Sequence, residues 1–165
     1  MNKITASLLL VLFISSCAVN QPLPEGYTGP LSTIRDSSTR VSGTKIRFFQ
    51  VNKVDGRNIE TSSAATGSAS YGQGAHISLV VTSRDVPAKK SVLRLQGTTY
   101  VAMPILAFGG GMYSVSGDVE VMLEPNKTYI VKGSLSKAYS AVWLEDDQGN
   151  IVSEKVEKIK GAKNN

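Results

Sequence analysis

The chain of 165 residues reads as all-β, a single antiparallel β-sandwich of seven to nine short strands that follows a signal helix and a flexible tether. Three observations predict this. From Thr44 onward apolar residues recur at every second position in short runs rich in Val, Ile, Tyr and Phe, which is the spacing of a strand with one buried face. Turn residues such as Asp55-Gly56 and Asp147-Gln148-Gly149-Asn150 separate the runs. No stretch of useful length carries apolar residues at helical spacing. With 41% apolar and 19% charged residues the composition is that of one globular domain, which excludes collagen, coiled coil and wholesale disorder.

The chain opens with Lys3, an apolar run from Leu8 to Ile14, and the small residues Ser15 and Ser16 before Cys17. This is the charged, apolar and small-residue layout of a secretory signal, and the run is too short to span a bilayer. Cys17 is the only cysteine in the chain. Ile14-Ser15-Ser16-Cys17 resembles the lipobox of bacterial lipoproteins. The resemblance implies that residues 1–16 are a lipoprotein signal peptide, that cleavage falls between Ser16 and Cys17, and that the Cys17 thiol receives a diacylglyceryl group. Residue 18 is Ala and not Asp, which in Gram-negative lipoproteins implies the outer membrane, periplasmic side. Once that thiol is lipidated none remains, so the domain must stand on its core without a disulfide.

Residues 17–43 read as the lipidated N-terminus and tether. They hold Pro22, Pro24, Pro30, Gly26, Gly29 and Gly43 with many Ser and Thr. A flexible chain of this length has an r.m.s. span of about 28 Å, and Tyr27, Leu31 and Ile34 offer at most an edge strand.

The sandwich is placed at 44–157. Its runs are Ile46 to Val54, Ile77 to Val81, Val92 to Leu95, Tyr100 to Ile105, Val119 to Leu123, Tyr129 to Gly133, Tyr139 to Trp143 and Ile151 onward. Tyr139 to Glu157 is the best hairpin, closed by the acidic turn 145–150. Two segments, 61–75 and 107–117, are so rich in Ser, Gly and Ala that they read as mobile connections. Residues 158–165 form a basic tail that frays after Ile159. Leu123-Glu124-Pro125-Asn126-Lys127-Thr128-Tyr129 resembles the proline turn and aromatic strand entry of transthyretin-like and PEGA-like envelope sandwiches. The resemblance implies an Ig-like or transthyretin-like sandwich and no particular activity.

Catalytic and metal chemistry find little support. One Cys and one His are too few for a Cys/His zinc site, and no cofactor is expected. The acidic turn lacks the spacing and flanking helices of a calcium loop. Ser134-Leu135-Ser136-Lys137 matches S-x-x-K, the nucleophile motif of penicillin-recognising enzymes, but the S-D-N and K-T-G partners are missing. His76 opens a strand-like run, where a triad role is invisible in sequence. Gly109-Gly110-Gly111 lacks the Lys and Ser/Thr of a phosphate loop. Tyr129, Tyr139 and Trp143 would make a carbohydrate-stacking platform if exposed, but their spacing fits the buried face of two strands better.

Charge is asymmetric although the net value is only +5, too mild to indicate nucleic acid. Residues 35–94 carry ten Lys or Arg against four acids, and residues 118–157 carry eight acids against four Lys. If the early strands share a face, Arg47, Lys89, Lys90 and Arg94 would form a patch for anionic polymers such as peptidoglycan or lipopolysaccharide. The expected function is therefore a membrane-anchored envelope lipoprotein. Its sandwich binds or supports an envelope partner and is not an enzyme; the alternative is an envelope hydrolase or glycan-processing enzyme using a loop serine or carboxylate.

Overall fold

The computed structural model describes residues 21–159, and Ser16 and Cys17 lie outside them. Among the described residues, ten strands make two packed sheets with no closed barrel, and one α-helix lies outside them. The first sheet has the order β10-β9-β8-β1-β5, formed by Val156–Ile159, Tyr139–Asp146, Thr128–Leu135, Leu31–Arg35 and Ser83–Pro87. The second has the order β2-β3-β6-β7, formed by Ser37–Ser42, Lys45–Val54, Lys90–Val101 and Ser114–Met122, with the short β4 (Arg57–Asn58) paired to β3. All pairs are antiparallel except β1 with β8.

The core lies between the sheets. Ile34, Phe49, Val51, Leu93, Leu95, Val119, Val121, Tyr129, Val131, Val142 and Leu144 interdigitate there, each removing an apolar side chain from water. Gly133 is required by this packing, since a Cβ there would meet the Ala141 carbonyl and the Phe49 ring. The Tyr139–Glu157 hairpin forms as expected, β9 pairing β10 through Val142 and Val156.

The tether is shorter than expected, because β1 and β2 both lie within 17–43. β1 is moreover an interior strand, seated between β8 and β5. Its inward residues are Ser32 and Ile34, so hydrophobic alternation hardly marks it. Hydrogen bonds do: Ser32 Oγ donates to the Glu124 carbonyl (2.7 Å), and Thr33 N–H to the Lys127 carbonyl (2.9 Å).

The chain passes from the first sheet to the second at Asp36, which is fully buried. Its carboxylate accepts from Val51 N–H (3.1 Å), Ser62 Oγ (2.7 Å), Thr82 Oγ1 (2.8 Å) and both terminal nitrogens of Arg84 (2.9 and 2.7 Å). A charge taken out of water is tolerable only when so fully paired.

The segment 61–75 is not a mobile connection. Thr61 caps helix α1 (Ser62–Ala69) by accepting from Ala64 N–H. Ser62, Thr66 and Ser70 recur every four residues and so share one helix face. Their hydroxyls accept from Thr82, Val80 and Ser78 N–H at 2.9, 2.9 and 3.0 Å. Residues 78–82, expected as a strand, therefore find their partners in helix side chains and remain outside both sheets. The helix covers part of the second sheet's outer face, where Gln50 Nε2 donates to Gln96 Oε1 and to Ser63 Oγ, each at 2.9 Å. Ile77 packs on Ile46 and Phe48 beside Tyr100. The expected strand end at Ile105 and the glycine-rich segment also resolve differently: Pro104–Gly109 is a 3-10 helix, and β7 already begins at Ser114.

Candidate binding surface

The two ends of the sandwich are chemically unlike. At one end lie the turns at Asp55-Gly56, Ala88-Lys89, Glu124–Lys127 and 147–155. Two of the carboxylates here, Asp55 and Asp146, are engaged locally. Asp55 accepts from Val92 N–H (2.9 Å) and pairs with Lys89 (3.2 Å). Asp146 accepts from the N–H groups of Gln148 and Asn150 and from the Asn150 side chain, and these hydrogen bonds hold its carboxyl below the usual aspartate range.

At the other end meet the β2–β3 turn, the loop 102–113 and the β8–β9 turn. Ala102 N–H donates to the Thr44 carbonyl (3.0 Å), Lys45 Nζ to the Gly110 carbonyl (3.0 Å), and Thr99 N–H to the Tyr113 carbonyl (3.1 Å). Gly110 and Gly111 both sit at positive φ, a conformation that L side chains rarely adopt. The loop presents Phe108, Ile105 and Met112 outward, 87%, 66% and 43% exposed. Beside it, Met112, Tyr113, Ser114, Lys137, Tyr139 and Lys158 line a cleft of about 280 Å³.

The charge at this end is mostly positive. Arg40, Lys45, Arg47 and Lys137 lie on segments 38–47, 98–115 and 134–140, which contain no Asp or Glu. Among the described residues, Lys137 and Lys158 pair with no carboxylate. Arg47 lies over the Tyr113 ring at 5.9 Å, and its buried Nε has no hydrogen-bond partner among the described residues. The one acid in contact with this end among the described hydrogen bonds is Glu157, on β10 beside Lys158. It is engaged by the Tyr139 hydroxyl (2.5 Å), whose pKa this bond raises.

No family model, curated protein or solved structure matches the chain. The site is defined by its own geometry.

That geometry does not assemble the patch expected from sequence. Arg94 pairs with Asp118 through two bonds of 2.7 Å, Lys90 pairs with Glu120, and Lys89 with Asp55. Arg47 stands opposite Thr99 on the core-facing side of the second sheet, whereas Lys90 and Arg94 lie on its outer side with Val92. Acids on the neighbouring strand take up Lys90 and Arg94, a turn aspartate takes up Lys89, and strand parity separates Arg47.

The aromatic residues also divide. Tyr129 is core, and its hydroxyl oxygen accepts from Glu124 N–H (2.9 Å). Tyr139, Ala141 and Trp143 do share a face, but it is the outer one; Val142 and Leu144 point into the core. Both parities of this run are apolar, so alternation alone could not choose between them. Trp143 is partly exposed, donates to Glu145 (2.7 Å) and carries Lys155 over its ring at 5.0 Å.

The motif residues have ordinary roles. Ser134 is exposed on β8, and within the S-x-x-K segment it is the Ser136 hydroxyl that makes bonds, both to the backbone of Tyr139. His76 is exposed and donates its backbone N–H to the Gln73 carbonyl. The signal that sequence reading missed is a long run without acids: residues 37–54 and 86–117 contain neither Asp nor Glu.

Proposed function

We propose that the chain is a lipid-anchored module of the bacterial envelope, held at the outer membrane on its periplasmic side and acting by binding. The observation that carries this reading is the single Cys17, directly after an apolar run and small residues in the order of a lipobox. No helix among the described residues is long and apolar enough to cross a membrane, so attachment in this reading falls to the lipid. With strands starting at Leu31, the connection from Cys17 shortens to residues 18–30. Arg57 further engages the carbonyls of Gln21 and Pro22. The sandwich therefore works close to its bilayer.

The contact surface we assign to it is the basic end, where cations and apolar side chains are exposed together, and an anionic envelope component is the matching partner. Mass spectrometry of the native protein, together with fractionation of the Cys17→Ser variant, tests the anchor. A diacylglyceryl adduct on Cys17, and its loss with release from the outer membrane in the variant, are the expected results. An unmodified Cys17 in the membrane-held native protein overturns the reading.

A further inference from the structure

We infer that the end of the sandwich built from the β2–β3 turn, the loop 102–113 and the β8–β9 turn inserts into the interface of an anionic phospholipid bilayer. This deepens the proposed binding role and rests on the basic end being its working surface; it does not need Cys17 to be lipidated.

Two independent features point to lipid. The first is apolar: Phe108 and Ile105 stand 87% and 66% exposed on one 3-10 turn, with Met112 at 43% just beyond it. A soluble domain gains nothing by presenting its bulkiest apolar groups together at a loop tip, whereas a bilayer interface removes them from water. The second is charge. Lys137 and Lys158 line the cleft beside Met112 and Tyr113 without a carboxylate partner among the described residues, Arg40 lies on the neighbouring strand, and Lys45 reaches the loop itself. Cations of this kind near an anionic lipid surface each contribute about fivefold to affinity.

The combination decides between partners. Peptidoglycan or lipopolysaccharide phosphate would complement the lysines but leave Phe108 and Ile105 in water. A neutral apolar protein groove would take those two and leave the lysines unmatched. Phospholipid headgroups over acyl chains complement both. The loop is also fixed in shape, because Lys45 Nζ holds the Gly110 carbonyl and Tyr113 exchanges hydrogen bonds with Thr99. The exposed side chains are thus presented without further ordering of the backbone.

The N-terminal segment contacts a different part of the domain. Gln21 and Pro22 lie against Arg57 on β4 and beside Ser83 and Arg84 on β5, away from the loop tip. Anchor and tip are two separate attachments, and together they would set the orientation of the sandwich on the membrane.

The test uses the chain beginning at residue 18, which keeps every core residue from Ile34 to Val156 and lacks the apolar signal. It is mixed with vesicles of phosphatidylcholine, with and without phosphatidylglycerol, and sedimented. We expect binding that needs phosphatidylglycerol and weakens as salt is raised. The double variant Ile105→Ser, Phe108→Ser should lose about tenfold or more in vesicle affinity while its Tm is unchanged, because both side chains are exposed. In a separate variant, Phe108→Trp, emission should shift to the blue on the same vesicles and be quenched by brominated lipid. Absence of phosphatidylglycerol-dependent binding overturns the inference, as does equal binding by the double variant. Binding to purified peptidoglycan that survives the double substitution also overturns it and assigns the lysines to a glycan. None of these results depends on the fate of Cys17→Ser, so the anchor and the tip can fail separately.

Discussion

The turns at one end of this sandwich and the loops at the other are built from different materials. At the acidic end, carboxylates and hydroxyls satisfy backbone N–H groups: Asp55 accepts from Val92, Asp146 from Gln148 and Asn150, and the Tyr129 hydroxyl from Glu124. These polar atoms shape tight turns and have little capacity left for a partner. At the basic end the loop 102–113 is held by backbone bonds and one lysine, while its apolar side chains and neighbouring cations point to solvent. The same count of polar groups can therefore mean opposite things. Where they close the backbone they are structure, and where they face outward unpaired they are surface chemistry.

Substitutions should separate the two ends by their effect on folding. The largest loss is expected at neither end but at Asp36, where the chain crosses from one sheet to the other. Asp36→Ala leaves the Arg84 guanidinium, 8% exposed, without its carboxylate and also strips partners from Ser62 and Thr82. Denaturant unfolding should show a loss of about 3–5 kcal/mol; a loss under about 1 kcal/mol would mean that water reaches the site. At the acidic end, Asp55→Ala removes the acceptor for Val92 N–H and places alanine at a φ of 48°. The expected loss is about 1–2 kcal/mol by the same measurement. Asp55→Asn, which tolerates that backbone and keeps an acceptor, should recover most of it.

Much of the fold was legible in the sequence, and the exceptions share a cause. Alternation locates β7 and β8, each with one apolar face, and β3, although both faces of that strand are covered; it splits β6 into two runs, Val92 to Leu95 and Tyr100 to Ile105, where the chain forms one strand through Gly97. It missed β1, whose inward positions are Ser32 and Ile34, and it misassigned the faces of β9, where Tyr139, Ala141 and Trp143 compete with Val142 and Leu144. Helix α1 escaped because its buried face is Ser62 and Thr66, a polar stripe at helical spacing that no hydrophobic pattern reports. The candidate surface was half visible. The glycine-rich segment is conspicuous in sequence but reads there only as a mobile connection, and the patch expected from Arg47, Lys89, Lys90 and Arg94 loses three of its members to acids at Asp55, Glu120 and Asp118. Pairing across strands depends on register, and register does not follow from local sequence.

Acid titration offers a comparison that leaves the sequence unaltered. The folded-state pKa of Asp146 is depressed, chiefly by the Asn150 side chain. A depressed carboxylate contributes stability that is present above its unfolded value, about 3.9, and is lost as pH falls through the lower folded value. NMR signals of residues 146–150 should therefore hold steady through the ordinary aspartate range and move only below it. Signals of Phe108 and Met112 should stay flat throughout, since no carboxylate lies on their loop. A midpoint for Asp146 at or above the ordinary value would remove the distinction between a carboxylate that shapes its turn and one that merely decorates it.

The smallest effect, and the most discriminating, is expected from Lys137→Ala. Its ammonium is exposed near Lys158 and has no carboxylate partner among the described residues. Its removal takes away repulsion and no attraction. Stability should change by less than about 0.5 kcal/mol, with the sign of a slight gain at low salt that fades as screening rises. A clear loss would show that Lys137 has a structural partner, and the basic end would then resemble the acidic one. An unchanged or slightly raised Tm would leave this cation free of any folding role, and a charge kept on the surface at a small cost to the fold is one that a ligand can use.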